Sequence, residues 1–334
     1  MARAGVRIGV AGASGALGSE VLLALDAARL PVALLRPLAR GDSEDLEVEF
    51  QGEVYPVEDA RGASLRGLDL LFLCAPEPAS LALGREALRA GVPAIDLSGA
   101  FAGIAEVPLR VAAFEEGAAA VEPAPLVAAA AGPVLALALV LRPLAARAGL
   151  RRVVATLFDS AAAGGRHGIA TLHAESVALF NQQEVPAPEV FARPIAFDCL
   201  PATAAEEAEG QSTRERDLAR ALRRLLGPEL RVAASAVQVP AFVGSAAVLG
   251  VETERPLDPQ EAADALSRAP GVELCTGPEG PTLRAAAGRE DVLVGRLRAD
   301  PSLPGGLLLW LVCDPLRLSA ANAVALAAAH LRRG

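Results

Sequence analysis

Gly9, Gly12, Gly15 and Gly18 recur at every third position of GVAGASGALG. An apolar run, VRIGVAG (6–12), leads into them, and ALGSEVLLALDAARL (16–30) follows with helical spacing. Strand, glycine loop and helix in that order form the context in which a backbone cradles a pyrophosphate. Glycines let the main chain approach the phosphates, and a helix N-terminus supplies N–H groups with no acceptor inside the helix. The candidate cofactor contacts are therefore Gly12, Ser14, Gly15, Ala16, Leu17 and Gly18. A turn that only packs a helix on a strand gives the same pattern, so that alternative stays open here.

NAD sites usually place an acidic residue ~20 positions further on, at the end of the second strand. Here LLRPLARGDSED presents Arg36 and Arg40 first, with the acids beyond them. Two guanidiniums suit a 2′-phosphate and favour NADP over NAD. Solvated loop arginines are the competing reading.

Other reactive side chains are sparse. The sequence holds no lysine, so all 31 basic residues are arginine and a Schiff-base mechanism is excluded. The histidines are His167, His173 and His330, and the cysteines Cys74, Cys199, Cys275 and Cys313 lie far apart in apolar surroundings. No metal-ligand spacing arises, and the thiols read as reduced and buried, as in a cytoplasmic protein. Cys74 ends the strand-like LLFLC, at the sheet edge where cofactors lie, yet a small core residue would sit there too. His167 in GGRHG reads as a surface loop residue. Ser245 follows Gly244 without a histidine nearby in sequence, so no serine hydrolase is proposed.

These residues need elements to hold them. VRIGVAG, PVALLRPL (31–38), LDLLFLCAP (68–76) and VPAIDLSGA (92–100) read as strands, alternating with helices at 16–30 and 79–91. That alternation predicts a doubly wound parallel sheet, a Rossmann-like dinucleotide-binding domain. A helix is expected within 130–149. Beyond it, strands at 150–160, 231–240, 245–254 and 307–314 and helices at 213–227 and 258–271 predict an α+β domain with a largely antiparallel sheet. PATAAEEAEGQS (201–212) reads as an exposed loop. The expected boundaries are 1–125 with 315–334 for the first domain and 126–314 for the second. The C-terminal helix SAANAVALAAAHLRR (319–333) is expected to pack back on the first domain.

Two domains agree with a length of 334 residues. Aromatics make up only 3 % against 52 % hydrophobic residues, so the core is built from Ala, Leu and Val. A net charge of −9 with scattered arginines argues against nucleic-acid binding. The N-terminus resembles a signal peptide, but its glycine period suits a phosphate loop better. The apolar run at 126–141 is too short and too interrupted for a membrane helix.

Several stretches together resemble the aspartate-semialdehyde dehydrogenase family: GASGALG, AIDLSGAF, PVLALALVLRPL, RPIAFDCLP, VQVPAFVGS and VGRLRAD with LLLWLVCDPLRLSAANAV. They span nearly the whole chain in the family's order. The resemblance implies a dinucleotide-binding domain closed by the C-terminal helix, with Asn322 of SAANAV as a cofactor contact, and a second domain for catalysis and homodimerisation. It also implies a reversible, NADP-dependent, phosphorylating aldehyde oxidation. A cysteine thiolate attacks the aldehyde, a histidine handles the proton, hydride passes to the nicotinamide and phosphate cleaves the thioester.

Carried onto this chain, the family's catalytic positions have lost their chemistry. Counting back from RPL, the nucleophile falls on Gly132, or on Ala131 with a slip of one residue. The histidine after VPxxxG is Ser245, and the substrate-binding arginine seven residues earlier is Gln238. A second arginine is Ala102, the glutamine of the TYQAxSGAG stretch is Phe158, and the acid/lysine pair reads Arg214 and Asp217. Phe158 and Ala102 are expected to turn an anion pocket apolar. The pattern is most similar to the Usg-type branch, paralogues with diverged catalytic residues. No residue of this chain is therefore assigned a catalytic role. Two readings follow: a homodimeric, NADP-binding protein without the family's activity, or an NADP-dependent oxidoreductase acting on another carbonyl compound.

Overall fold

The computed structural model describes residues 5–39, 46–61, 64–115, 124–201 and 210–333. The chain divides into two compact units, Met1–Ala131 with Ser319–Gly334, and Gly132–Leu318.

The first unit holds β1 (Val6–Ala11), α1 (Ala16–Ala27), β2 (Val32–Ala39), β3 (Glu47–Phe50), β4 (Glu53–Pro56), β5 (Glu58–Asp59), β6 (Leu70–Leu73), α2 (Glu77–Ala90), β7 (Ala94–Asp96), β8 (Leu109–Arg110), α3 (Ala112–Glu115) and β9 (Leu126–Ala129). Seven of these strands form one sheet in the order β5-β2-β1-β6-β7-β9-β8, every pairing parallel. The strands read as continuous apolar runs because both faces are covered. On one face Ile8, Val10 and Phe72 pack with Val21 and Leu25 of α1, and on the other Leu71 and Leu73 pack with Leu83 and Ala87 of α2. The C-terminal helix α9 (Pro315–Arg333, numbered after the helices below) adds Ala320, Ala323, Val324 and Ala327 to the first of these cores.

The second unit contains α4 (Gly132–Ala148), β10 (Arg152–Asp159), α5 (Gly165–Phe180), β11 (Leu200–Pro201), α6 (Thr213–Leu226), β12 (Arg231–Gln238), β13 (Ser245–Glu252), α7 (Pro259–Leu266), β14 (Val272–Leu274), α8 (Leu283–Ala286), β15 (Val292–Ala299) and β16 (Leu307–Cys313). Its sheet runs β11-β12-β10-β13-β16-β15-β14 and is mixed, with β10–β12 and β14–β15 parallel and the other pairings antiparallel. Alternation along its central strands separates two faces. Leu157, Leu249 and Leu309 are at most 1 % exposed, whereas Val248 on the opposite face is 39 % exposed.

The structure departs from the sequence reading in places. The helix expected within 130–149 is α4, but the apolar residues just before it form a strand that was not expected, β9, which pairs with β7 and β8 in the first sheet. The first unit accordingly extends past 125. His167 lies not in a loop but on the exposed face of α5. Of the expected loop at 201–212, residues 202–209 lie outside the described residues. Ser212 is buried and caps α6: its hydroxyl accepts from Glu215 N, and Glu215 accepts from Ser212 N.

Candidate functional site

The glycine loop sits where β1 ends and α1 begins. Gly12 N–H donates to Leu38 O and Gly15 N–H to Gly12 O, closing the turn. Gly12 has φ +81°, and a Cβ there would lie 2.7 Å from Ala75 N. At Gly18 a Cβ would lie 2.1 Å from Gly12 O. Only glycine fits either place. Gly15 is the N-cap of α1, and Ser19 N–H donates to Gly15 O as the first helical bond. The N–H groups of Ala16, Leu17 and Gly18 therefore have no acceptor within the helix. The first turn carries no acidic residue. A positive helix end without an acidic side chain fits a pyrophosphate.

The other expected cofactor contacts are arranged differently. Arg36 lies inside β2, three residues before its end. Its guanidinium forks onto the Glu58 carboxylate, and its Nη1 also donates to Ser64 O. This pairing holds the Glu58 carboxyl below its usual range and leaves the arginine committed to β5 rather than free for a phosphate. Arg40 lies outside the described residues. Asn322 is 8 % exposed and its amide is engaged by backbone: Oδ1 accepts from Ala112 N at 2.8 Å, and Nδ2 donates to Ala130 O at 3.0 Å. These bonds pin α9 to the chain leaving β9.

Cys74 follows β6 at the C-terminal edge of the sheet. Burial and, secondarily, the Asp96 carboxylate push its thiol far up, the reverse of what a nucleophile needs. Burial likewise raises Cys313 and Cys275, whereas Cys199, expected to be buried, is exposed. Ala102 is a partly buried residue packed beside Phe101 and Leu83.

In the second unit the polar groups converge on a residue that sequence reasoning missed. Asp159 ends β10 and is 2 % exposed. Arg214, in the first turn of α6, forks onto its carboxylate, with Nε to Oδ2 at 2.6 Å and Nη2 to Oδ1 at 2.9 Å. Ser245 opens β13 directly opposite Asp159 in the antiparallel ladder, and its hydroxyl donates to Oδ1 at 3.3 Å. Gln238 ends β12 as the parallel neighbour of Asp159 and donates from Nε2 to the Asp159 carbonyl at 2.8 Å. Three positions mapped by resemblance to a histidine, an arginine and an acid thus close around Asp159, two on its carboxylate and Gln238 on its carbonyl. Asp217 stands apart, exposed and paired with Arg216. Phe158, one residue before Asp159, packs against Trp310 with ring centroids 5.8 Å apart. The two line a depression of about 940 Å3 with Val248, Pro281 and Leu283.

Gly132 opens α4 with φ +53°, and a Cβ built there meets no heavy atom within 4 Å. Among the described residues no group of His, Cys, Asp and Glu could hold a metal ion. No helix among them is long and apolar enough to cross a membrane.

Comparison with known proteins places this architecture. Residues 7–120 match the family model described as "Semialdehyde dehydrogenase, NAD binding domain", and residues 141–318 match "Semialdehyde dehydrogenase, dimerisation domain". The chain is 30 % identical to an aspartate-semialdehyde dehydrogenase of Synechocystis, over 98 % of both chains. It is 31 % identical, again over 98 % of both, to a USG-1 protein homolog of Azotobacter vinelandii. Aspartate semialdehyde dehydrogenase II from Vibrio cholerae superposes with a TM-score of 0.92 at 28 % identity, covering 98 % of this chain and 99 % of that one. The first unit is a Rossmann-like domain of the NAD-binding type, the second has the fold of the dimerisation domain, and the chain belongs to the aspartate-semialdehyde dehydrogenase family.

Proposed function

We propose that this protein is a dinucleotide-binding homodimer that keeps the family's scaffold without its phosphorylating aldehyde oxidation. One observation carries the reading: the position matched to the thiolate nucleophile is Gly132, which has no side chain to attack an aldehyde. Ser245 and Gln238 support it, since both spend their polar groups on Asp159. The candidate cofactor is NADP, held at the glycine loop by Gly12, Ser14, Gly15, Ala16, Leu17 and Gly18. With Arg36 engaged by Glu58, the preference for a 2′-phosphate rests on Arg40. The description of the matched second domain supports the homodimer. Four cysteines without a disulfide suit a cytoplasmic protein.

The intact cradle around Gly12 and Gly18 favours a second reading, hydride transfer between NADP and a different carbonyl compound. Such a reaction needs a bound cofactor and an electrophile but no cysteine.

The test is phosphate-dependent reduction of NADP with aspartate semialdehyde, alongside NADPH and NADH titrations followed by cofactor fluorescence. The expected outcome is saturable NADPH binding and no turnover. Turnover that survives Cys74→Ala would overturn the first reading. Reduction of other carbonyl compounds by NADPH would decide for the second.

A further inference from the structure

Arg214 occupies an electrostatically awkward place. It lies in the first turn of α6, where the helix end is already positive and an anionic side chain is preferred. The guanidinium is charged at any pH at which the protein folds. A counter-anion beside it is favoured, and the chain supplies one. The Asp159 carboxylate meets the Nε–Nη2 edge of Arg214 in the planar two-bond geometry with which arginine binds a ligand carboxylate. Ser245 donates to the same carboxylate, as a hydroxyl would to a bound anion. Two charged carboxyl groups lie further out, Glu215, which accepts from Ser212 N and Ala236 N, and Asp314 beside Cys313. Gln238 is neutral, and Cys313, the ladder partner of Ser245, is kept protonated chiefly by burial.

We propose that Asp159 is the resident counter-ion of Arg214, filling with an intramolecular carboxylate the place that a small anionic ligand would otherwise take. The site is built for a carboxylate and is occupied by one of the chain's own. It follows that the wild-type second domain takes up neither a small carboxylate nor phosphate at Arg214, and that any substrate meeting this cluster is uncharged where it does so. The inference deepens the reading above, since it rests on the same cluster, but it concerns binding and not turnover.

Asp159→Ala should leave a carboxylate-sized gap that formate fills. The measurement is thermal unfolding of the full chain in increasing sodium formate, with ionic strength held constant by chloride. The variant should gain a saturable rise in Tm of roughly 4 °C. The wild type should show no formate-specific rise, and neither should the double variant Asp159→Ala/Arg214→Gln. Equal responses in wild type and variant, no response in the variant, or a response that survives loss of Arg214 would each overturn the proposal. If Asp159→Ala does not fold in chloride, refolding yield replaces Tm as the readout, and equal yields in formate and chloride would count against it. Failure here leaves the turnover assay unaffected, and turnover there would leave formate binding unaffected.

Discussion

Gly132 and Asp159 show how far single residues can be read from a sequence of this kind. The lack of a side chain at the expected nucleophile position is legible because a motif of fixed spacing, ending in RPL, points to Gly132, or to Ala131 with a slip of one residue. Asp159 was not legible. Its partners lie 55, 79 and 86 residues away along the chain, joined only by ladder register and the first turn of α6. Resemblance had directed attention to Phe158, whose side chain instead packs on Trp310. The amide of Asn322 and the guanidinium of Arg36 teach the same point. Their types suit a cofactor, but each has its hydrogen bonds taken by backbone or by Glu58. At this scale the decisive test is Gly132→Cys. A Cβ has room there, although the left-handed backbone costs a non-glycine residue roughly 1–2 kcal/mol. The added thiol still lacks a base, because Ser245 cannot replace the histidine and already donates to Asp159. Folded Gly132→Cys protein should therefore show no phosphate-dependent NADP reduction with aspartate semialdehyde. Restored activity would show that the catalytic positions were assigned to the wrong residues.

Elements with a clear period were legible, and those without one were not. β1, α1, β2, β6 and α2 follow from apolar runs alternating with helical spacing and closed by glycines. α4 was legible within 130–149, but β9 was lost in the nearly uniform Ala, Leu and Val run before it, where Gly132 and Pro133 mark the break. α5 begins in the glycine-rich AAAGGRHG, a signal that locally favours a turn. Its helix is fixed instead by tertiary packing, with Leu172 set against Ile195. The glycine loop is the element whose sequence signal and geometry agree most closely, and its role can be isolated. Gly18→Ala drives a Cβ toward Gly12 O and Ala13 Cα, so the loop must shift to accept it. NADPH affinity should fall at least tenfold, about 1.4 kcal/mol. Leu23→Ala, on the 55 % exposed side of the same helix, controls for general effects on α1 and should leave affinity unchanged. Equal NADPH affinity in wild type and Gly18→Ala would mean that the loop is only a packing turn.

For the molecule as a whole, the asymmetry of the second sheet points beyond a monomer. One face is sealed, with Val153, Leu157, Leu249, Val251 and Leu311 at most 1 % exposed. By ladder register, the other face carries Phe158, Ala246, Val248, Leu308 and Trp310. A depression of about 940 Å3 lies open on that side, its apolar lining joined by Glu279, Arg284, Arg296 and Arg298. Contiguous apolar surface of this kind marks an association site more often than a solvated one. A two-fold arrangement would set the same patch against itself, so a single charge placed on it is met twice. The sequence holds one tryptophan, Trp310, and it lies in the patch. Its emission therefore reports on this face alone. Light scattering at micromolar concentration should give twice the mass of one chain, and Trp310 emission should shift to the red on dilution as the face becomes wet. Val248→Asp introduces a carboxylate into the patch on both subunits and should yield a monomer with red-shifted emission at every concentration. A wild-type monomer at micromolar concentration would contradict the homodimer. A Val248→Asp protein that remained dimeric would move the interface to another surface of the chain.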